Sequence, residues 1–346
     1  METKQVVKPV QLQKSLLGGK LSDESFITLF MVGVLLLVFA IACLVVPNFY
    51  KPQNILNLIT NNWFVIILGI GVTFVLITGN FDMSVGGNIA LTGVLSVYFC
   101  QGFNVSQNAL ANGLGLPYVV AVGLALLCAM GVGAVNAFFI AKLQVPSIIV
   151  TLGTMMLARG AAQVITQGAQ RNTSLPDAFG FLGSWGIPGT SIRISVLVMI
   201  ALIIIAFVFE KKTVFARRIY LIGANPEAAR LSGINVSKYL TVLYIISALL
   251  AGITGILLAS EFKAGVSSRA MGYEFDALVI ALLGGVSIAG GFGSVLGMFV
   301  GAIILSVVTS AATGMLLSPD WQFILKAVVT FIAILSQRFA LEKRKG

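Results

Sequence analysis

The chain has no histidine, and only 12 of its 346 residues are acidic. The missing histidine removes the commonest proton shuttle, general base and zinc ligand together. Its three cysteines, Cys43, Cys100 and Cys128, each fall in an apolar run without CxxC spacing, so they read as small hydrophobes and predict neither a disulfide nor a metal centre. No GxxxxGK[ST] sequence occurs, which leaves the chain without a phosphate cradle of the Walker kind. The glycine-rich GGFGSVLG departs from GxGxxG because Leu296 stands where the last glycine should be. With no serine elbow and no histidine-based triad either, the chain is not expected to be an enzyme.

Charge is scarce and hydrocarbon abundant. Charged residues make up 10% of the chain and hydrophobic ones 58%, against roughly a quarter charged in soluble domains. The mean hydropathy is +1.00, and the fold class that follows is an all-α polytopic membrane protein. A net charge of +10 could suggest nucleic acid. The basic residues, however, sit in short loops beside long apolar runs, the pattern that sets membrane orientation, so no nucleic-acid partner is expected. Lysines precede the run 26–46, which is too long for a signal-peptide core and lacks a small-residue cleavage site; it reads as a first span.

Windows of membrane length predict about ten spans, at 26–46, 57–79, 83–101, 118–141, 146–167, 193–209, 239–259, 275–290, 294–315 and 322–337. This gives a terminal segment 1–25, one transmembrane domain 26–337 and a tail 338–346. Most of the 22 basic residues gather on one side with both termini, which predicts cytoplasmic ends. The stretch 168–192 is too polar to span and reads as an outer loop. In GNFDMSVGGN, polar residues and glycines break a hydrophobic run, which a membrane tolerates only where the backbone is buried in protein or lines a cavity. Gly293, Gly297 and Gly301 recur four apart on one predicted helix face, as do Ala129, Gly133, Ala137 and Ala251, Gly255, Ala259; all read as helix packing. NFDMSVGG near residue 80 echoes EFDALVIALLGG near 274 five spans later, the arrangement of an inverted repeat, with chance similarity as the competing account.

The longest polar interval is 210–238, EKKTVFARRIYLIGANPEAARLSGINVSK. Within it, Asn225 is a good N-cap, Pro226 suits the first helical position, Glu227 favours the positive pole and Gly233 is a natural stop. The helix so predicted, with Ala228, Ala229, Arg230 and Leu231, has about two turns and needs docking to persist. Two readings stand: a solvated loop whose charges fix topology, or a contact for a partner. Charged residues at membrane depth are Asp82, Arg159, Asp276 and Lys326. Arg159 either lines a polar pathway or snorkels and pairs with an acid such as Asp276. Asp82 and Asp276 read as N-caps of half-helices, and Lys326 as a snorkelling lysine without a role.

Four motifs occur in order: GNFDMSVGG, PSIIVTLGTMMLARG, IGANPEAARLSGINV and GYEFDALVIALLGGVSIAGGFGSVLG. They resemble signatures of ribose-type ABC importer permeases, with Asn80, Phe81 and Met83 departing from the family's usual residues. The resemblance implies a ten-helix, vitamin B12-importer-like permease of the bacterial inner membrane. It would work as a homodimer with a cytoplasmic ATPase, which binds the ATP and Mg, and with an external or periplasmic substrate-binding protein. It further implies that Asn225 to Gly233 is the coupling helix seated in the ATPase. The pathway is then expected to draw on Asn61, Asn62, Asp82, Ser84, Asn88, Thr151, Thr154, Arg159 and Asp276. The expected cargo is ribose or a similar monosaccharide, with a nucleoside, a signalling sugar or a branched-chain amino acid as alternatives. An ion-coupled secondary transporter and a non-transporting scaffold are the rivals from other classes.

Overall fold

The structure is a computed structural model that describes residues 23–102, 112–172, 174–187 and 192–345. Its helices are α1 (Asp23–Val45), α2 (Pro52–Thr60), α3 (Trp63–Ile77), α4 (Val85–Cys100), α5 (Tyr118–Ala137), α6 (Ser147–Thr166), α7 (Phe181–Ser184), α8 (Ile194–Lys212), α9 (Val214–Ala224), α10 (Pro226–Leu231), α11 (Val236–Phe262), α12 (Tyr273–Leu283), α13 (Val295–Gly314) and α14 (Pro319–Lys345). A π-helical turn at Phe138–Lys142 extends α5, and a 3-10 turn at Asp177–Gly180 leads into α7. Among the described residues there is no strand, only isolated bridges at Arg171 to Gly265 and Gly186 to Arg193.

The expected count of ten spans is not confirmed. Among the described residues, six helices are long and apolar enough to cross a membrane: α1, α5 with its π turn, α6, α8, α11 and α13. A seventh exists if α2 and α3, bent by 47° at Asn61 and Asn62, form one span. Two of the expected spans are short for a physical reason. The backbone from Gly79 to Met83 runs without helix, so α4 starts late, and α12 ends where Gly284 and Gly285 turn the chain away. The terminal segment 1–22, with its lysines, lies outside the described residues, as do residues 173 and 188–191 of the outer loop. The backbone of the proposed tail continues α14 as helix to Lys345.

The core is organised around α11, whose most apolar window is 72% buried, against 17% for α1 and 28% for α6. Aliphatic side chains give no preference between lipid and a neighbouring helix, so close backbone approach must hold the bundle together. The small-residue rows supply it. A Cβ on Gly133 of α5 would lie 2.6 Å from the Tyr244 carbonyl oxygen, and one on Gly255 2.5 Å from that of Ile89 on α4. Gly297 and Gly301 do the same for α13 against α12, each within 2.2 Å of a carbonyl oxygen. Gly293 is the exception to its predicted row. It precedes α13 with φ 144°, because Ser294 caps that helix by accepting from the Gly297 N–H at 3.0 Å. Gly293 therefore belongs to an elbow and not to a helix face.

The outer α6 buries one row against its own chain, Ser147, Thr151, Thr154, Ala158, Ala162 and Thr166, while Ile149, Met156, Leu157 and Val164 face outward. Gly255→Val forces a branched side chain against backbone and is expected to lower stability by about 2 kcal/mol, read as a fall in the thermal unfolding midpoint in detergent. Gly123→Val, where nothing lies within 4 Å, is expected to leave the midpoint unchanged.

Candidate functional site

The interruption between α3 and α4 is exposed at Gly79 and buried from Asp82 to Ser84, and its buried polar groups are spent on neighbouring helices. Thr78, Asp82 and Ser84 are all nearly inaccessible. The Phe81 N–H donates to Ser147 Oγ at 3.1 Å, and the Phe81 carbonyl accepts from the Tyr244 hydroxyl at 2.9 Å. Asp82 Oδ1 accepts from both the backbone N–H (3.0 Å) and the hydroxyl (2.5 Å) of Ser84. Asn136 donates to Ser84 Oγ at 2.8 Å and accepts from Thr154 at 2.6 Å. One chain of side chains thus ties the break to α5, α6 and α11. This answers the cost of leaving backbone polar groups unpaired in an apolar interior. One turn into α4, Asn88 donates to the carbonyls of Ala129 (3.3 Å) and Ala248 (3.1 Å), which pins that helix to α5 and α11. The Ser247 hydroxyl stands beside the Asp82 carboxyl without closing a hydrogen bond of good geometry, so Asp82 Oδ2 lacks a partner.

Asp82 is therefore not itself the N-cap of α4. That place belongs to Ser84, and Asp82 closes a turn onto it. Asp276 is not a cap either: Gly272 precedes α12, and Asp276 lies in the first helical turn with both carboxylate oxygens accepting from Lys326 of α14 at 2.9 and 3.0 Å. Lys326 is thus an ion-pair partner and not a free snorkelling lysine, and Arg159 does not pair with Asp276. Arg159 instead reaches the carbonyls of Arg269 (3.5 Å) and Ala270 (3.4 Å), long contacts for a guanidinium. Beside that turn lies Glu274, 5% exposed, whose Oε2 has no partner. A Cβ on Gly86 would sit 1.9 Å from this oxygen, so the carboxylate rests directly on the first turn of α4, where the helix dipole favours negative charge.

At the other end of the break, the polar interval 210–238 is more ordered than expected. The predicted short helix is α10. Asn225 Oδ1 accepts from the N–H groups of Glu227 (3.1 Å) and Ala228 (3.0 Å). At its far end Gly233 has φ 79°, and the Ile234 N–H donates to the Ala229 carbonyl at 3.0 Å. Ala229 is buried whereas Leu231 is 83% exposed. Arg230 reaches Gln144 at 3.1 Å and lies 3.8 Å from Glu227. Just before α10 runs α9, an amphipathic helix that buries Ala216, Ile219 and Ile222. A cleft of about 480 Å³ opens between α10 and the break, with Thr78, Asn80, Gln144, Ser147, Pro226 and Arg230 on its walls.

Of the expected pathway residues, Asp82, Ser84 and Thr154 meet in the buried network, with Asn88 nearby. Thr151 bonds its own helix at the Ser147 carbonyl (2.8 Å), Asn62 bonds Leu58 (3.1 Å), and Asn61 is exposed in the bend of α2 and α3. Asp276 stands apart with Lys326. Sequence reasoning missed Asn136, Tyr244, Ser147 and Glu274. The lone amide of Asn136 inside an apolar run was a usable signal, since such groups seek partners at membrane depth. Helix α9 was missed although Phe215, Ile219 and Ile222 have helical spacing.

The model of the family described as branched-chain amino acid transport system / permease component matches residues 54–334. The chain is 35% identical to the ribose import permease protein of Escherichia coli K12 over 87% of this chain and 90% of that protein. It is 30% identical to the galactose/methyl galactoside import permease protein of the same organism, over 94% and 99%. Identity to the ribose import permease protein of Bacillus subtilis is 32%, over 88% and 91%.

Removing one partner of a partly buried ion pair strands the other charge. Lys326→Met is expected to cost about 3 kcal/mol of stability, whereas the double variant with Asp276→Leu regains most of it. A double-mutant cycle on unfolding that shows no coupling would contradict the pairing. Asn136→Ala is expected to cost about 2 kcal/mol by deleting the bonds that join Ser84 to Thr154, read by the same assay.

Proposed function

The chain belongs to the family of branched-chain amino acid transport system permease components, and from that membership we propose that it forms the translocation pathway of an ATP-driven importer for ribose or a similar monosaccharide. Its place is the bacterial inner membrane as a multi-pass protein with both termini cytoplasmic. It works as a homodimer, receives its cargo from an external substrate-binding protein and takes its energy from a separate cytoplasmic ATPase that binds ATP and Mg. The cargo class rests on likeness to the ribose and galactose import permeases.

The observation that carries the coupling is α10, a six-residue helix capped at both ends and presented at the end of the bundle with Leu231 outward. So short a helix is marginal unless both its ends are satisfied and one face is docked. Here Ala229 docks on the bundle and the opposite face is left for a partner. The residues Asn225 to Gly233 are accordingly the ATPase contact. The energy enters there, and the buried break after α3 is where access changes hands.

A second reading, an ion-coupled transporter, is favoured by one observation: Asp82 and Glu274 are buried carboxylates with an unpartnered oxygen each. The two readings separate in vesicles. Reconstituted with its ATPase and binding protein, the chain is expected to accumulate ribose only when ATP is supplied. Uphill uptake by the chain alone, driven by an ion gradient, would instead establish the second reading. Leu231→Asp changes a residue the fold does not need and is expected to abolish ATPase binding in co-purification while the unfolding midpoint stays put; retained binding would refute the role given to α10.

A further inference from the structure

Three segments meet beneath α10 with no side chain between them. They are the end of α9 at Gly223 and Ala224, the break after α3 at Ile77 and Gly79, and the elbow between α12 and α13 at Gly290 and Gly291. The Gly291 N–H donates to the Ile77 carbonyl at 2.8 Å. A Cβ on Gly223 would stand 1.9 Å from that same oxygen and 2.4 Å from the Gly291 nitrogen. One on Gly290 would stand 2.7 Å from the Gly79 nitrogen, and one on Gly291 2.9 Å from the Ala224 Cα. Gly79, Gly290 and Gly291 have φ of 77°, 83° and 73°, values that L side chains rarely adopt. Two further bonds hold the elbow to the same support: Tyr220 of α9 donates to the Gly293 carbonyl at 2.8 Å, and Glu210 at the end of α8 accepts from the Val295 N–H at 2.7 Å.

We propose that Gly79, Gly223, Gly290 and Gly291 form a rigid backbone joint that passes movement of α10 to the break between α3 and α4 and to the elbow before α13. This rests on the reading of α10 as the energy input. Backbone in contact with backbone has no rotamer to absorb a push, and packed interiors transmit strain because they are poorly compressible. Asn225 both ends α9 and caps α10, so α10 is one residue from the joint. Ala229 also docks on the core, whereas the tie from Arg230 to Gln144 runs through two long side chains and yields easily. Beyond the joint the chain leads from Gly79 to Asp82 and Ser84, so a displacement entering at α10 arrives at the network that holds α4, α5 and α6 in place. The four glycines are positioning residues: none need touch cargo or nucleotide.

The test measures monosaccharide transported per ATP hydrolysed by the complete complex of permease, ATPase and binding protein in proteoliposomes, using ribose as the probe. Gly290→Ala and Gly223→Ala are expected to lower that ratio about tenfold while ATP is still hydrolysed and the ATPase still co-purifies. Gly168→Ala carries the same left-handed strain, φ 75° with nothing within 4 Å, and is expected to keep the wild-type ratio. If the glycine variants do not assemble, Tyr220→Phe and Glu210→Ala decide, because each removes the side-chain group that bonds the elbow; a fall in the ratio supports the joint. A wild-type ratio in every variant that assembles, or uptake and hydrolysis that fall in step, overturns it. Failure of the wild-type complex to move any sugar with ATP is a different result, which sinks the functional reading before the joint is at issue.

Discussion

The fold depends on how a helix is allowed to stop inside an apolar bundle. From Thr78 to Ser84 the chain gives up its helical hydrogen bonds, and where it is buried, at Asp82 to Ser84, each unpaired group would cost several kcal/mol. The replacement partners come from three other helices: Ser147 on α6, Tyr244 on α11, and Asn136 on α5 relayed through Ser84. The break is thus specified by residues far away in sequence. With it go the late start of α4, the largely buried α11 and the hydroxyls that α6 presents to the interior.

Glycine and alanine do for the apolar parts what the amides and hydroxyls do for the break. Where bulky side chains would hold helices apart, Gly133, Gly255, Gly297 and Gly301 bring backbone against carbonyl oxygens of the neighbouring helix. The two devices are complementary. Small residues let the helices close, and closure brings Asn88 within reach of the Ala129 and Ala248 carbonyls. The ion pair of Asp276 and Lys326 fastens α14 to α12 at the periphery.

The local features were legible in the sequence because their causes are local. Asn225, Pro226 and Gly233 define α10 through bonds to residues two to five positions away, and the structure has all of them. The membrane class, the interruption at Asp82 and the small-residue packing followed from composition and spacing alone. What could not be read was pairing across the bundle. Nothing near Asp276 announces Lys326, fifty positions on, and Asp82 looked like a cap because its true partner, Ser84, is itself the cap. The count of ten spans is not confirmed for a related reason. Hydropathy registers apolar length but not the turn at Gly284 and Gly285 that shortens α12. Helix α9 shows the opposite error, since its charges Arg217 and Arg218 hid an amphipathic helix from a reading tuned to apolar runs.

Helix α6 buries one row of small side chains against its own chain, and most of that row's hydroxyls bond carbonyls of α6 itself. Those internal bonds are indifferent to where α6 sits along its axis, so its register is fixed by the ties it makes to its neighbours: Thr154 on Asn136, Ser147 on the Phe81 amide, the Arg159 guanidinium on the Arg269 and Ala270 carbonyls, and the Ile165 carbonyl on Arg171. The first two are fastened to the network around the broken helix end, which makes that network the gauge of where α6 stands.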